Sequence, residues 1–311
     1  MTLTSAQNSL AVAGILLLGA LLGDAAFAQT VGDNHERLPY HLDSVISFGM
    51  LGFAVLVALS INHARPGVRV LGIALAALGC LAVTGGIWAL DAAGQFAEMR
   101  PHRFFIDPHK PVLMRVLAGV FLVAAIALVI VAVRQSKRTD ELALESRNTS
   151  VRYGRMSRLY HWTIAVLFLL LVPMGVFTTM LPYDTGYRQA FYVVHKSVGL
   201  TVFLLAAARM IWLMRSPAPT LSRDLQGWER FAARVAHYAM YFFLVAFPIS
   251  GFVLGTSLGK LTHFYIWDLP LFWGPHEESL TIARLMHKIV LPFAFYLVFL
   301  SHVLGALKHQ F

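Results

Sequence analysis

Five histidines fall in stretches apolar enough to lie at membrane depth: His161, His195, His237, His287 and His302. An ionisable side chain placed there is costly and marks a functional site by default. Imidazole suits iron, and two imidazoles on opposite sides of one haem iron make a closed centre for electron transfer. Depth then suggests which histidines belong together. His195 and His287 lie near the outer starts of their helices, and His161 near the inner start of its own. His302 follows His287 by fifteen residues, about 22 Å of helical rise, and returns to within roughly 60° of the same helix face. One helix thus offers an imidazole near each membrane face. His195 pairs with His287 outside and His161 with His302 inside, with His237 as the substitute inner ligand. Small residues near these positions, Gly199, Gly251 and Gly305, leave room for a flat macrocycle.

These side chains need helices to hold them, and the composition supplies little else. The chain has 311 residues, is 58% hydrophobic and only 13% charged, and its mean hydropathy is +0.66. Soluble domains are nearer half apolar and a quarter charged, so a water-soluble globule is excluded. Apolar runs near 44–61, 70–90, 113–133, 161–181, 189–214, 235–255 and 285–307 are each long enough to cross the hydrocarbon core. Upstream, the apolar run 10–23 precedes Ala26-Phe27-Ala28-Gln29, which reads as a cleavable signal peptide or as an uncleaved first helix. The single cysteine, Cys80, excludes an internal disulfide, a four-cysteine iron–sulfur site and covalent haem attachment.

The net charge of +9 reflects topology rather than nucleic-acid binding. If 44–61 runs from outside to inside, the inner segments 62–69, 134–160, 215–234 and the tail hold 14 of the Lys and Arg, and the outer segments hold 8. This predicts a multi-pass protein of the bacterial inner membrane with a cytoplasmic C-terminus. The polar stretch 134–160 separates three plain helices from four that carry histidine.

Four segments carry a resemblance: RLYHW (His161), VVHKSVGLTVFLLAAARM (His195, Gly199, Arg209), AHYAMYFFLVAFPISGFVL (His237, Pro248, Gly251) and LMHKIVLPFAFYLVFLSHVLGALKH (His287, His302, His309). In this order they resemble the bacterial cytochrome b561 family of four-helix, di-haem membrane proteins, and more distantly the cytochrome b subunits of formate dehydrogenases and hydrogenases. The resemblance covers about half the chain. It implies two haem b groups ligated by His195, His287, His161 and His302, with ubiquinone reached at the inner side. It places His309, seven residues after His302, at the quinone, where an imidazole can hydrogen-bond a carbonyl and supply a proton. Arg209 holds a haem propionate or faces the quinone side. The interval from His287 to His302 is one residue longer than the fourteen of the family. Pro292 lies between them, and a proline can accompany a wide turn that absorbs one residue.

The resulting organisation is an all-α integral membrane protein. Residues 1–28 form a signal peptide or first helix, 29–134 a three-helix membrane domain, 135–152 a cytoplasmic linker, and 153–311 the four-helix di-haem domain. Two donors fit. In the first reading the protein is an oxidoreductase taking electrons from superoxide and passing them to ubiquinone. Lys196 and Lys288 directly follow the outer histidines, and Arg188 and Arg284 lie close by, a set of charges able to steer a small anion. In the second it is a relay or anchor subunit serving a periplasmic dehydrogenase or soluble cytochrome, with the aromatic outer segment 256–284 as its platform. The N-terminal half carries no recognised family motif. Its His35, His41, His102 and His109 lack the spacing of a metal site, and the stretch Arg100–His109 is a candidate cap over the outer haem.

Overall fold

The computed structural model describes residues 42–94, 109–137, 145–180, 186–220 and 225–308. The signal-peptide segment, His35, His41, His102, His309 and nearly all of the candidate cap lie outside these residues. Seven helical segments among the described residues are long and apolar enough to cross a membrane. They are α1 (Leu42–Ile61), α2 (Pro66–Ala92), α3 (Lys110–Ser136), α4 (Arg155–Met180), α5 (Gly186–Arg215), α6 (Gly227–Ser257), and a composite last span. That span joins α7 (Glu277–Leu285), a π-helical turn (Met286–Val290) and α8 (Leu291–Lys308). The chain is a multi-pass, all-α membrane protein.

Each helix outruns the apolar stretch that announced it. The segment 235–255 becomes Gly227–Ser257 because a capping box between Gln226 and Glu229 starts the helix two turns earlier. The segment 285–307 gains α7, whose first turn carries Glu277 and Glu278 and whose N-cap, His276, accepts from Ser279 N at 3.2 Å. Hydropathy locates the part of a helix in lipid, whereas backbone pairing continues through charged turns in the interface. His161, His237 and His287 therefore sit one to three turns inside their helices rather than at their starts.

Lipid-facing surface is visible along α3, where Val112, Val116, Val120 and Val123 are all exposed at helical spacing. The interior divides into linked cores. One joins Ala54 of α1 to Leu167 and Leu171 of α4, Val194, Val198 and Val202 of α5, and Leu244 of α6. A second joins Ile87, Met114 and Ala118 to Phe177 and Met180 of α4. A third, Phe243, Leu291 and Phe295, seals α6 against α8. Helices α2 and α3 form the outlying pair. Helix α1 lies between that pair and the histidine-bearing helices, packing on α2, α4 and α5.

The segment between α6 and α7 carries secondary structure of its own. It forms an antiparallel hairpin, β1 (Thr262–Phe264) with β2 (Trp267–Leu269), in the register His263 opposite Asp268. Tyr265 in its turn has φ +55°, a left-handed conformation uncommon for a bulky residue. Contacts fix it there. The ring lies 4.3 Å from that of Phe48, Ser44 Oγ donates to Tyr265 O at 3.0 Å, and Tyr265 N donates to Ser197 Oγ at 3.0 Å. The hairpin thereby bridges α1 and α5.

Candidate functional site

Two groups of imidazoles lie at opposite ends of the last span. At one end the rings of His195 and His287 lie with centroids 6.3 Å apart and planes at 89°. At the other, His161 and His302 are 6.4 Å apart, and His237 lies 5.7 Å from His302. Metal–imidazole bonds of about 2.0 Å, plus ~1.1 Å from each nitrogen to its ring centre, would set two imidazoles on opposite sides of one metal about 6.2 Å apart. The spacings of the His195–His287 and His161–His302 pairs match that figure, while the His237–His302 pair would have to open.

Helix geometry produces this arrangement. The π-helical turn Met286–Val290 contains His287 itself. A π turn holds one residue more than an α turn, so it absorbs the additional residue between His287 and His302. It precedes Pro292, whose ring cannot accommodate a regular helical carbonyl four residues back. His302 is accordingly turned toward the other inner histidines.

Helix α5 places His195 near one end and Arg209 fourteen residues further on, where Arg209 Nη1 lies 3.1 Å from His161 Nδ1. Arginine only donates, so His161 Nδ1 accepts in this contact and the ring proton sits on Nε2; ligation of a metal through Nε2 would require Arg209 to release Nδ1. Arg209 Nε is buried without a hydrogen-bond partner, and its guanidinium lies over the Tyr241 ring. A carboxylate such as a haem propionate would satisfy this nitrogen.

The outer pair has its own support. Ser250 Oγ donates to Phe247 O at 3.0 Å, leaving the oxygen to accept from His287 Nδ1 at 3.0 Å. That bond keeps the proton on Nδ1 and presents Nε2 as a ligand, the usual arrangement around a metal-bound imidazole. His195 Nδ1 is buried without a partner. Glycines stand beside both rings: a Cβ at Gly251 would approach His287 Cε1 to 2.9 Å, and one at Gly175 would approach His195 Cε1 to 3.1 Å. Gly175 supplies this room from α4. The two imidazoles and the room that Gly175 and Gly251 leave beside them would fit a bis-histidine haem at this end, and at the other end the imidazole spacing alone supports one.

Between the two groups the interior is aromatic. Phe168, Phe247 and Phe295 contact one another at 4.8–5.9 Å, and Phe247 reaches the His287 ring at 5.9 Å. Sequence reasoning missed this layer, since phenylalanine is common in any membrane helix. It also missed Ser250 and the pair formed by His263 Nδ1 and Asp268 Oδ1 in the hairpin. The signal for the latter was the β-branched and aromatic content of Thr262–Leu269.

Of the four basic residues near the outer histidines, Arg188 is buried with Nη2 donating to Tyr192 OH at 3.0 Å. Lys196 Nζ donates to Leu261 O at 2.7 Å, which ties it to the hairpin. Lys288 lies in the π turn and Arg284 in the last turn of α7. Among the described residues no three His, Cys, Asp or Glu are placed to hold one metal ion together, and His109 is an exposed residue before α3.

Comparison with known proteins places this architecture. Residues 152–311 match the family model for prokaryotic cytochrome b561. The chain is 30% identical over 165 residues to cytochrome b561 homolog 2 of Escherichia coli (strain K12), covering 53% of this chain and 87% of that one. It is 24% identical over 170 residues to cytochrome b561 homolog 1 of the same organism, covering 51% and 90% respectively. No solved structure matches. The matched residues begin just before α4, at the polar stretch that divides plain helices from histidine-bearing ones, and the chain belongs to the prokaryotic cytochrome b561 family of membrane electron-transfer proteins.

Proposed function

We propose that the protein carries electrons across the bacterial inner membrane from superoxide at the outer side to ubiquinone at the inner side. His195 and His287 hold the outer haem b, and His161 and His302 the inner one. The observation that carries this reading is the pair of imidazole separations, 6.3 and 6.4 Å, at opposite ends of one span. Haem iron supplies a one-electron couple when bound. Two superoxide anions each lose one electron to become dioxygen, and one quinone takes two electrons and two protons to become quinol.

The residues divide this work by position. Lys196, anchored to Leu261 O beside His195, contributes fixed positive charge on the outer side, with Arg188, Arg284 and Lys288 adding to the field. Phe168, Phe247 and Phe295 exclude water between the two centres and fix their spacing. Arg209 holds an inner propionate, and His309 supports the quinone. His237 is the alternative inner ligand. Residues 153–311 form the redox unit, and 29–134 an added membrane module joined to it by the linker 135–152.

Stopped-flow mixing of the purified haem-loaded chain with superoxide, with ubiquinone as acceptor, tests the reading. Rapid haem reduction and quinol formation are expected, with a rate that falls as salt rises. A competing reading, a relay subunit for a periplasmic redox protein, draws on the exposed Trp267 and Phe272 beside the outer site. Inertness toward superoxide together with reduction by a copurifying dehydrogenase would establish that alternative. For the ligands, reduced-minus-oxidised spectra should show loss of one haem in each of His195→Ala, His287→Ala, His161→Ala and His302→Ala. Retention of both haems in all four would overturn the assignment, and a spectrum altered only by His237→Ala at the inner site would exchange that ligand.

A further inference from the structure

The connection between α1 and α2 gathers a different chemistry at the same end of the molecule as His161. Four arginines converge there from three places: Arg65 in the connection, Arg69 on α2, and Arg155 and Arg158 at the start of α4. Short contacts with neutral groups hold the assembly together. Arg65 N donates to His63 Nδ1 at 3.1 Å, and Arg69 Nη1 donates to His63 O at 3.3 Å. With its amide oxygen turned inward, Gln135 accepts from Arg69 Nη2 and Nε, each at 3.0 Å. Arg158 Nε donates to Asn62 Oδ1 at 2.7 Å, and Asn62 Nδ2 donates to Ala58 O at 2.6 Å.

The Arg158 guanidinium is positioned by a neutral acceptor, whereas Arg65 is held through its backbone amide. The neighbouring acid in the described chain is Glu145, and it contributes its backbone carbonyl to Arg155 N at 2.8 Å. No described acid forms an ion pair with Arg65, Arg155 or Arg158. Helices α2 and α4 both begin here, adding the partial positive charge of two N-termini. The field is felt at His63, whose imidazole is held below its ordinary range by burial and then by Arg65, Arg69 and Arg155. Like charges held this close on a membrane protein call for an anion. The guanidinium fork matches a phosphate, and the ends of α1, α2 and α4 lie where lipid headgroups are.

We propose that this cluster binds the phosphate of an anionic phospholipid headgroup through Arg65, Arg155 and the terminal nitrogens of Arg158. The lipid sits on the seam where α1 meets α4 and holds the N-terminal module against the histidine-bearing helices. Arg69, already engaged by Gln135 and backbone carbonyls, shapes the site and adds charge.

The test uses the full haem-loaded chain, purified in neutral detergent and stripped of lipid. Native mass spectrometry would follow retention of added phosphatidylglycerol, phosphatidylcholine or inorganic phosphate. Wild type and the control Arg234→Gln should keep phosphatidylglycerol and reject phosphatidylcholine. The double variant Arg65→Gln/Arg155→Gln, altered at two exposed positions, should bind it at least about tenfold more weakly. Equal retention by the double variant, or equal retention of phosphatidylcholine, would overturn the proposal. Displacement of the lipid by stoichiometric inorganic phosphate would instead assign the site to a free phosphate. Unchanged haem spectra establish that the variant is folded; if haem is lost, Arg65→Gln alone, in the connection outside the helices, carries the same comparison.

Discussion

At His287 the Ser250 hydroxyl and the Phe247 carbonyl together hold the ring proton and so select the nitrogen that faces a metal. Ser250 spends its proton on Phe247 O and can then only accept from His287 Nδ1. Such outer partners orient a ligating imidazole and raise its basicity, and their loss commonly costs 10–100-fold in metal affinity. Ser250→Ala should therefore weaken haem retention at the outer site by about 10–100-fold while the inner haem stays bound. Haem loss to an apoprotein acceptor, followed separately for the two spectral components, measures it. The histidines themselves were legible in the sequence because ionisable groups are rare at membrane depth. Ser250 was not, because a serine in a membrane helix usually bonds its own preceding turn and gives no sign of a second partner.

At the scale of elements, the last span depends on its wide turn. The fifteen residues from His287 to His302 point both imidazoles inward because Met286–Val290 takes up one of them. Deleting Ile289 should let this turn close into regular α-helix and leave both haems bound. Inserting an alanine after Ile289 should rotate His302 by about 100° and remove the inner haem. Difference spectra of the two variants make the comparison. The hairpin is a second such element. Burial raises the Tyr265 phenol above its ordinary range, and its hydrogen bond with Thr201 pulls it partly back. A raised folded value means this contribution to stability is fully present below about pH 10 and is lost as pH climbs through the folded value. Thermal unfolding in detergent between about pH 8 and 11 should fall more steeply for wild type than for Tyr265→Phe. The hairpin turn was not readable because it lacks the Asn-Gly or Gly-X pair that usually announces one. Contacts from α1 and α5 impose the left-handed conformation on Tyr265 instead.

Across the whole molecule, positive charge fixes the orientation we propose. The basic excess around residues 134–160 is the observation that favours a cytoplasmic side there. In a Cys80→Ala background, Glu278→Cys should react with a membrane-impermeant maleimide in intact cells. Ser150→Cys should react only after permeabilisation. The reverse pattern would invert the topology and with it the direction of electron flow. The N-terminal helices also gain a physical place. Ala54 of α1 shares one core with Leu167 and Val194, so the helix nearest the redox unit is packed into it. Gly72 of α2 permits the turn that brings this about, since a Cβ there would stand 2.6 Å from that of Ser60.

The sequence alone determined the all-helical membrane architecture, the number of apolar spans and the histidines at two depths. Those follow from hydropathy and from the cost of ionisable groups in lipid, both properties of residues taken in order along the chain. Only the tertiary structure decided that three inner imidazoles meet, that a π turn realigns His302, and that aromatic rings fill the space between the two groups. It also seated α1 against α4 and α5 and gathered four arginines from segments far apart in the chain. Such features depend on the rotation of one helix against another, and no periodicity within a single helix contains that angle.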